Sequence, residues 1–538
     1  MLTLPLEPTD DRANPLFKDA ASCTQWLSQL QLTNLQLAHS LLLTQINELN
    51  CYPMRGLERM NTLELLRETV GYVQSDYAKK LIAKPLPLNE SELMVFVAIV
   101  QLWQAMMLGY QRCLQAYMAD DRQLTKHAAL LCQRCLLYSG LGIFEHLRTG
   151  YEFDAKLWHQ LHELYAFAEE QGLQDTAVPD PLNGKYPASS CRSIYVKTQL
   201  ACYARPAELT RSQLQLMDHW LAQWSHTVTV ESSYTAGKGD AQPLAVDLAS
   251  TQGLQTVRHA KHSASMRYLA MVPLSKLLRI KIIMLQQGKT PQQLELCEHC
   301  SSTDCIEFLT LLHQYWCEDH SHRFGERRPV AQSAQLCYKI EGIYAHLSGK
   351  PFKQPRKEDV INTAGHRQIQ TFGRVLQNAQ NQELLEMSAP LETWQFENES
   401  ILGARLTRED LFGGRVNYNQ LIALRPSDAG SFMLGVTAWA NVARTGQLQI
   451  GVRYLPGIAE PVCIRSADAS PTEKYVPAFL LQAVPALKTP PSMILPRDWF
   501  QAGRVVEVLH QDREKEEMKM GFSVERGVDY ERVSFALN

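Results

Sequence analysis

The sequence predicts an α+β multidomain protein: a large, mainly α-helical N-terminal region followed by a small antiparallel β-barrel with a helical insertion. Three observations predict it. From about Ala20 to Trp224 apolar residues recur at i, i+3, i+4 and i+7, as in WLSQLQLTNLQLAHSLLLTQINEL. From about His320 onward, short alternating runs are separated by Gly, Asp and Pro turns. The 538 residues, 45% of them apolar, suffice for more than one core. The 53 basic and 56 acidic residues nearly cancel, so no global field favours a nucleic-acid polymer or an anionic membrane.

The elements follow in order. The opening MLTLPLEPTDDR lacks the basic, apolar and small-residue succession of a secretory signal. Thirteen scattered cysteines read as reduced, buried thiols rather than a disulfide framework. Both point to the cytoplasm. Helices break at KPLPLNESE, where Asn89 can cap the next helix with Glu92 three residues on, and at VPDPLNGKYP. The uncharged run Leu93 to Gln111 is long enough to raise a membrane span, but Gln101 and Gln104 within it and Glu90 and Glu92 before it favour a buried core helix. Near residues 227–250, HTVTVESSY and PLAVDLAS read as strands around AGKGDAQ, so the helical region, 1–319, contains a small β segment and allows two subdomains.

Residues 320–538 form the barrel region. RPVAQSAQLCYKI, WQFENES, VNYNQLIALRP, SFMLGVTAWANVA, GQLQIGVRYLP and PVCIRSAD read as its strands, with a helical insertion at about 352–390. The remainder is a C-terminal extension, in which QDREKEEMKMG is compatible with a helix.

One pair of motifs carries chemistry. HSHRFGERRPV places Arg323 and Arg327 four positions apart, with Arg328 beside them. Farther on, NESILGARL sets Asn398, Ser400 and Gly403 at the end of a strand. Arginine can hold phosphate in a fork and lie against a purine face, as lysine cannot. Asn398 and Ser400 share one strand face by period two, and Gly403 permits close backbone approach and unusual dihedrals. Together, RxxxR before the first strand and [D/N]xSxxG after a later one resemble the signature of the PilZ domain, a β-barrel receptor for the bacterial second messenger cyclic di-GMP. The resemblance spans about Arg323 to Arg465, with Arg327 and Asn398 71 positions apart around the insertion. It implies that Arg323, Arg327, Arg328, Asn398, Ser400 and Gly403 bind cyclic di-GMP. It also implies a signalling effector with no cofactor, whose helical region meets an unidentified protein partner in a ligand-dependent way.

Other clusters compete with it. Cys297, Cys300, Cys317 and His320 have spacings that a structural zinc site uses, but DCIEFLTLLHQYWCEDH reads as one helix that would hold the two pairs apart. The alternative function is therefore a helical interaction scaffold with a non-binding barrel, with or without zinc. Cys132 and Cys135 lie on one helical run and read as core, and His259 and His262 as a solvated loop. No phosphate-binding loop, nucleophile elbow or HExxH is present, so no residue reads as catalytic and the protein is not expected to be an enzyme.

Overall fold

A computed structural model describes all residues except 1, 5–7, 184–187, 235–240, 261–262, 299, 319–327, 356–389, 410–412, 469–473, 512–514 and 538. The chain divides into two compact units, Met1–Lys84 with Leu88–Arg323, and Pro85–Pro87 with Phe324–Asn538. It is an α+β multidomain protein, with a helical N-terminal region and a C-terminal six-stranded antiparallel barrel.

The first unit holds α1 (Ala20–Gln29), α2 (Leu35–Cys51), α3 (Gly56–Tyr77), α4 (Glu90–Met118), α5 (Ala128–Thr149), α6 (Ala155–Glu170), α7 (Cys191–Tyr203), α8 (Arg211–Trp224), α9 (Val272–Gln286) and α10 (Ser302–Cys317). Helix α4 begins where Asn89 predicts. The Asn89 side chain accepts from the Glu92 amide at 2.9 Å while Glu92 accepts from the Asn89 amide at 3.0 Å, a reciprocal cap. This helix is long and apolar enough to cross a membrane. Here it packs against α2, α3 and α5 and buries Phe96, Ile99, Leu102, Met106, Tyr110 and Leu114.

A charged network lies inside the same bundle. Arg134 of α5 reaches Glu64 of α3 at 2.9 Å and Asp180 at 3.1 Å, and Arg67 of α3 reaches Asp180 at 2.6 Å. Tyr110 of α4 donates to Glu64 at 2.6 Å. Opposite charges and hydrogen bonds together make burial of these ions tolerable. Cys132 and Cys135 are buried on α5, as expected of core thiols, and desolvation pushes Cys132 up to about 12.

The β content of this unit is small. Strands β1 (Val178–Pro179) and β2 (Ala188–Ser189) pair, and β3 (Val230–Glu231), β4 (Leu244–Asp247), β5 (Gln255–Thr256) and β6 (Met266–Leu269) form a sheet ordered β3-β6-β4-β5. The sheet extends beyond residue 250 because Met266 and Tyr268 bury against Ala245 from a strand the turn-rich sequence hid.

The second unit holds two rings of strands where the sequence suggested one barrel. The first contains β7 (Arg328–Pro329), β8 (Ser333–Tyr338), β9 (Glu392–Ser400), β10 (Gly403–Arg408), β11 (Leu421–Pro426), β12 (Met433–Val442) and β13 (Leu448–Tyr454), with α11 (Ile340–Ser348) after β8. Its order is β10-β13-β12-β11-β8-β9-β7, and β10 also pairs with β9, so six strands close on themselves. The second is a closed barrel of β14 (Ala459–Ser466), β15 (Val476–Leu481), β16 (Ser492–Pro496), β17 (Val505–Leu509), β18 (Lys515–Arg526) and β19 (Tyr530–Leu537).

Two expectations are corrected here. PVCIRSAD, expected in the first barrel, is β14 of the second, because β13 pairs with β10 and β12 and leaves no edge for it. The run expected to be helix-compatible is mostly β18. Met518 and Met520 point into the barrel while Lys515 and Lys519 face out, a period-two pattern that overrides the helix preference of Glu, Lys and Met. Ile340 and Ile343 of α11 share a core with Leu421 and Val436 of the first ring and Phe479 and Ile494 of the second. The expected insertion at about 352–390 lies outside the described residues from 356 onward.

Candidate functional site

NESILGARL folds as a hairpin. β9 ends at Ser400, Ile401 and Leu402 make the turn, and β10 starts at Gly403. Gly403 stands opposite Ser400, Arg405 opposite Asn398, and Leu406 opposite Phe396, so Glu397 is the extra residue of a bulge. Leu406 and Phe396 are buried inside the ring, which turns Asn398, Ser400 and Arg405 to its outer face. Both polar residues of the motif therefore share a face as the alternation predicts.

The glycine's role is close approach. A Cβ on Gly403 would lie 2.0 Å from the Val452 carbonyl oxygen on β13. Its φ is not positive, so of the two properties expected of Gly403 the unusual backbone conformation is corrected. The Ser400 hydroxyl donates to the Gly403 carbonyl at 3.1 Å, closing the turn and leaving its oxygen lone pairs able to accept.

Across four strands, Asn398, Arg405, Gly451 and Trp439 lie in one row. A Cβ on Gly451 would strike the Trp439 indole at 2.0 Å, so the indole lies flat across the glycine. The Arg405 guanidinium sits 5.7 Å from the Trp439 ring centroid, 2.7 Å from the Glu397 carboxylate and 2.9 Å from the Gln449 side-chain oxygen. The face thus offers an amide, a hydroxyl, a planar cation and an aromatic plane, a set suited to phosphate and purine. Sequence reasoning missed Arg405 and Trp439. The signal for Arg405 was its period-two spacing from Gly403; nothing local marks Trp439.

Arg328 is exposed on β7, opposite Glu399, and Pro329 stands opposite Asn398. Arg323 and Arg327 lie outside the described residues. Inside the ring's end, Tyr454 donates to Glu399 at 2.5 Å; burial, reinforced by that carboxylate, pushes the phenol far above its usual range.

The zinc alternative is not supported. Cys297 and Cys300 are bonded to each other, a local bridge in a chain expected to hold only thiols. Cys317 ends α10, whose sixteen residues span about 24 Å at 1.5 Å per residue, so it stands a helix length from Cys300. His320 lies outside the described residues, and among those described no group of three or more His, Cys, Asp or Glu side chains could hold a metal.

Residues 21–235 match the family described as "Cyclic-di-GMP receptor FimW, N-terminal domain", and residues 462–537 match the "FimW C-terminal beta-barrel domain". The first match covers α1 to α8 and the second covers the second barrel; the ring that carries NESILGARL lies between them. Along 94% of its length the chain is 22% identical to "Cyclic-di-GMP receptor FimW" of Pseudomonas aeruginosa, covering 89% of that protein. In two separate stretches, and end to end, the chain is similar to a protein named as a receptor for cyclic di-GMP.

Proposed function

We propose that this chain is a cytoplasmic bacterial receptor for cyclic di-GMP, acting by binding rather than catalysis. The ligand seats on the outer face of a PilZ-like first ring. The observation that carries the reading is the hairpin itself: Asn398 and Ser400 face outward beside Arg405 and Trp439, on a backbone that only glycine at 403 allows to pack this closely. The similarity to a named cyclic-di-GMP receptor supports the same ligand. In this reading Asn398 and Ser400 hydrogen-bond a guanine edge or phosphate, Arg323, Arg327 and Arg328 supply cations, and Arg405 stacked on Trp439 adds a fourth.

Calorimetric titration of cyclic di-GMP into the full chain, the Arg323→Ala/Arg327→Ala variant and the Asn398→Ala/Ser400→Ala variant tests this. Saturable binding lost in both variants is expected; no binding by the unmodified chain refutes it. The competing reading, a barrel with a purely structural role, draws on the Ser400–Gly403 hydrogen bond and the Arg405–Glu397 ion pair, both internal to the hairpin. The titration separates the two.

The helical unit carries the output to a protein partner, and bound ligand alters that contact. Hydrogen exchange across α1 to α10 that is unchanged by saturating cyclic di-GMP would remove this second step.

A further inference from the structure

In the helical unit, remote in sequence from the hairpin, a cavity of about 390 Å³ is lined by Leu81, Arg148, Thr210, Arg211, Ser212 and Gln215. It falls within the size range of small-molecule pockets, roughly 300–1,000 Å³. Its two arginines are placed against their own electrostatics. Arg211 and Arg148 are close enough to repel, and burial, aided by that like charge, brings the Arg211 guanidinium down to about 10. Arg211 is also the first residue of α8, at the positive end of the helix dipole, where a cation is disfavoured.

The neighbourhood does not neutralise this charge. Glu145 is the nearby carboxylate; it is paired with Arg148 and also accepts from Trp103 at 3.4 Å. Arg148 Nε and Arg211 Nη1 are both buried with no hydrogen-bond partner among the described residues. A buried donor left unsatisfied costs about 1–3 kcal/mol, more for a charged group. Two cations and one carboxylate leave a net positive cavity with unused N–H groups.

We propose that this cavity is a binding site for a small phosphate-bearing molecule, its phosphoryl group held between Arg148 and Arg211. Phosphate supplies acceptor oxygens for the two N–H groups left without one, Arg148 Nε and Arg211 Nη1, in the forked geometry arginine prefers. The Ser212 hydroxyl on the same wall is a further donor, while the Thr210 hydroxyl is engaged with Gln213 in the α8 cap. The site is separate from the hairpin face and does not depend on the receptor reading.

The test uses the full chain without cyclic di-GMP, titrated with inorganic phosphate or glycerol 3-phosphate at constant ionic strength, with chloride as control and the thermal midpoint as readout. A saturable rise with either phosphate compound, absent with chloride, is expected. In Arg211→Gln the apparent affinity falls about tenfold or more, the loss of one charge-assisted hydrogen bond. The midpoint of Arg211→Gln in chloride equals or exceeds that of the unmodified chain, because a desolvated cation beside another has been removed. Phosphate acting no differently from chloride, or equally on both proteins, overturns the proposal. So does a lower midpoint for Arg211→Gln in chloride, which would show that protein groups already satisfy Arg211.

Discussion

Replacing Gly403 with alanine tests the geometry on which the hairpin face depends. The added Cβ would lie 2.0 Å from the Val452 carbonyl oxygen, 3.1 Å from its carbon and 3.3 Å from the Arg453 Cα, all backbone atoms. Ordinary contact begins at 3.4 Å, so β10 and β13 must part by about 1.4 Å at this point. Strands pair at about 4.8 Å, and the ladder bonds beside Gly403 and Arg453 do not survive such a shift. Overpacking costs about 1–3 kcal/mol and each lost bond about 1 kcal/mol, giving about 2–5 kcal/mol. Urea unfolding followed by tryptophan fluorescence, with Trp394 and Trp439 in this ring, measures the loss. Gly430→Ala is the control, since its Cβ meets nothing within 4 Å. A difference below about 0.5 kcal/mol between the two variants would refute the close-approach argument.

Two further outcomes follow from the helical unit. His162 is fully buried, its Nε2–H donating to the Gln252 carbonyl and its Nδ1 accepting from Tyr195, each at 2.8 Å; burial above all lowers its pKa to about 4. Because the folded value lies below the unfolded value of about 6.5, its contribution is complete above pH 6.5 and is lost as pH falls towards 4, roughly 3 kcal/mol in all. Denaturant midpoints measured across that window should drop, and His162→Gln should flatten the slope. Asp180→Asn leaves Arg67 and Arg134 buried with Glu64 alone, and should cost about 3–5 kcal/mol in urea unfolding; a loss under about 1 kcal/mol would mean that the two arginines do not depend on Asp180.

Helices were legible because their signals are local. The 3.6-residue period and the Asn89–Glu92 cap are written within a few turns of chain, and α4 starts where they say. The face shared by Asn398 and Ser400 was legible for the same reason, since alternation is a property of one strand. Pairing between distant strands was not. The row that joins Asn398 to Trp439 passes through β10 and β13, and no local pattern in the sequence records which strands lie side by side.

The division of the β region into two rings shows how much depends on that missing information. β13 and β14 are joined by Leu455-Pro456-Gly457-Ile458, with Gly457 at φ +101°, the chemistry of a hairpin turn. The two strands nevertheless belong to different rings, because each already has both edges occupied: β13 by β10 and β12, β14 by β15 and β17. The rings are braced instead by side chains. Arg453, beside Gly403 in the ladder, pairs with Glu525 of β18, which also accepts from Tyr530 at 2.7 Å. Burial and Glu525 together push that phenol well up, and Asp529 accepts from the Leu421 amide at 2.9 Å. The strand that packs against the motif glycine is thus tied through one carboxylate to the second barrel. A shift of β13 at Arg453 would therefore pull on Glu525 and Tyr530, so the Arg453–Glu525 pair joins the shared α11 core and the Asp529–Leu421 bond as a link through which a change at the motif glycine reaches the second barrel.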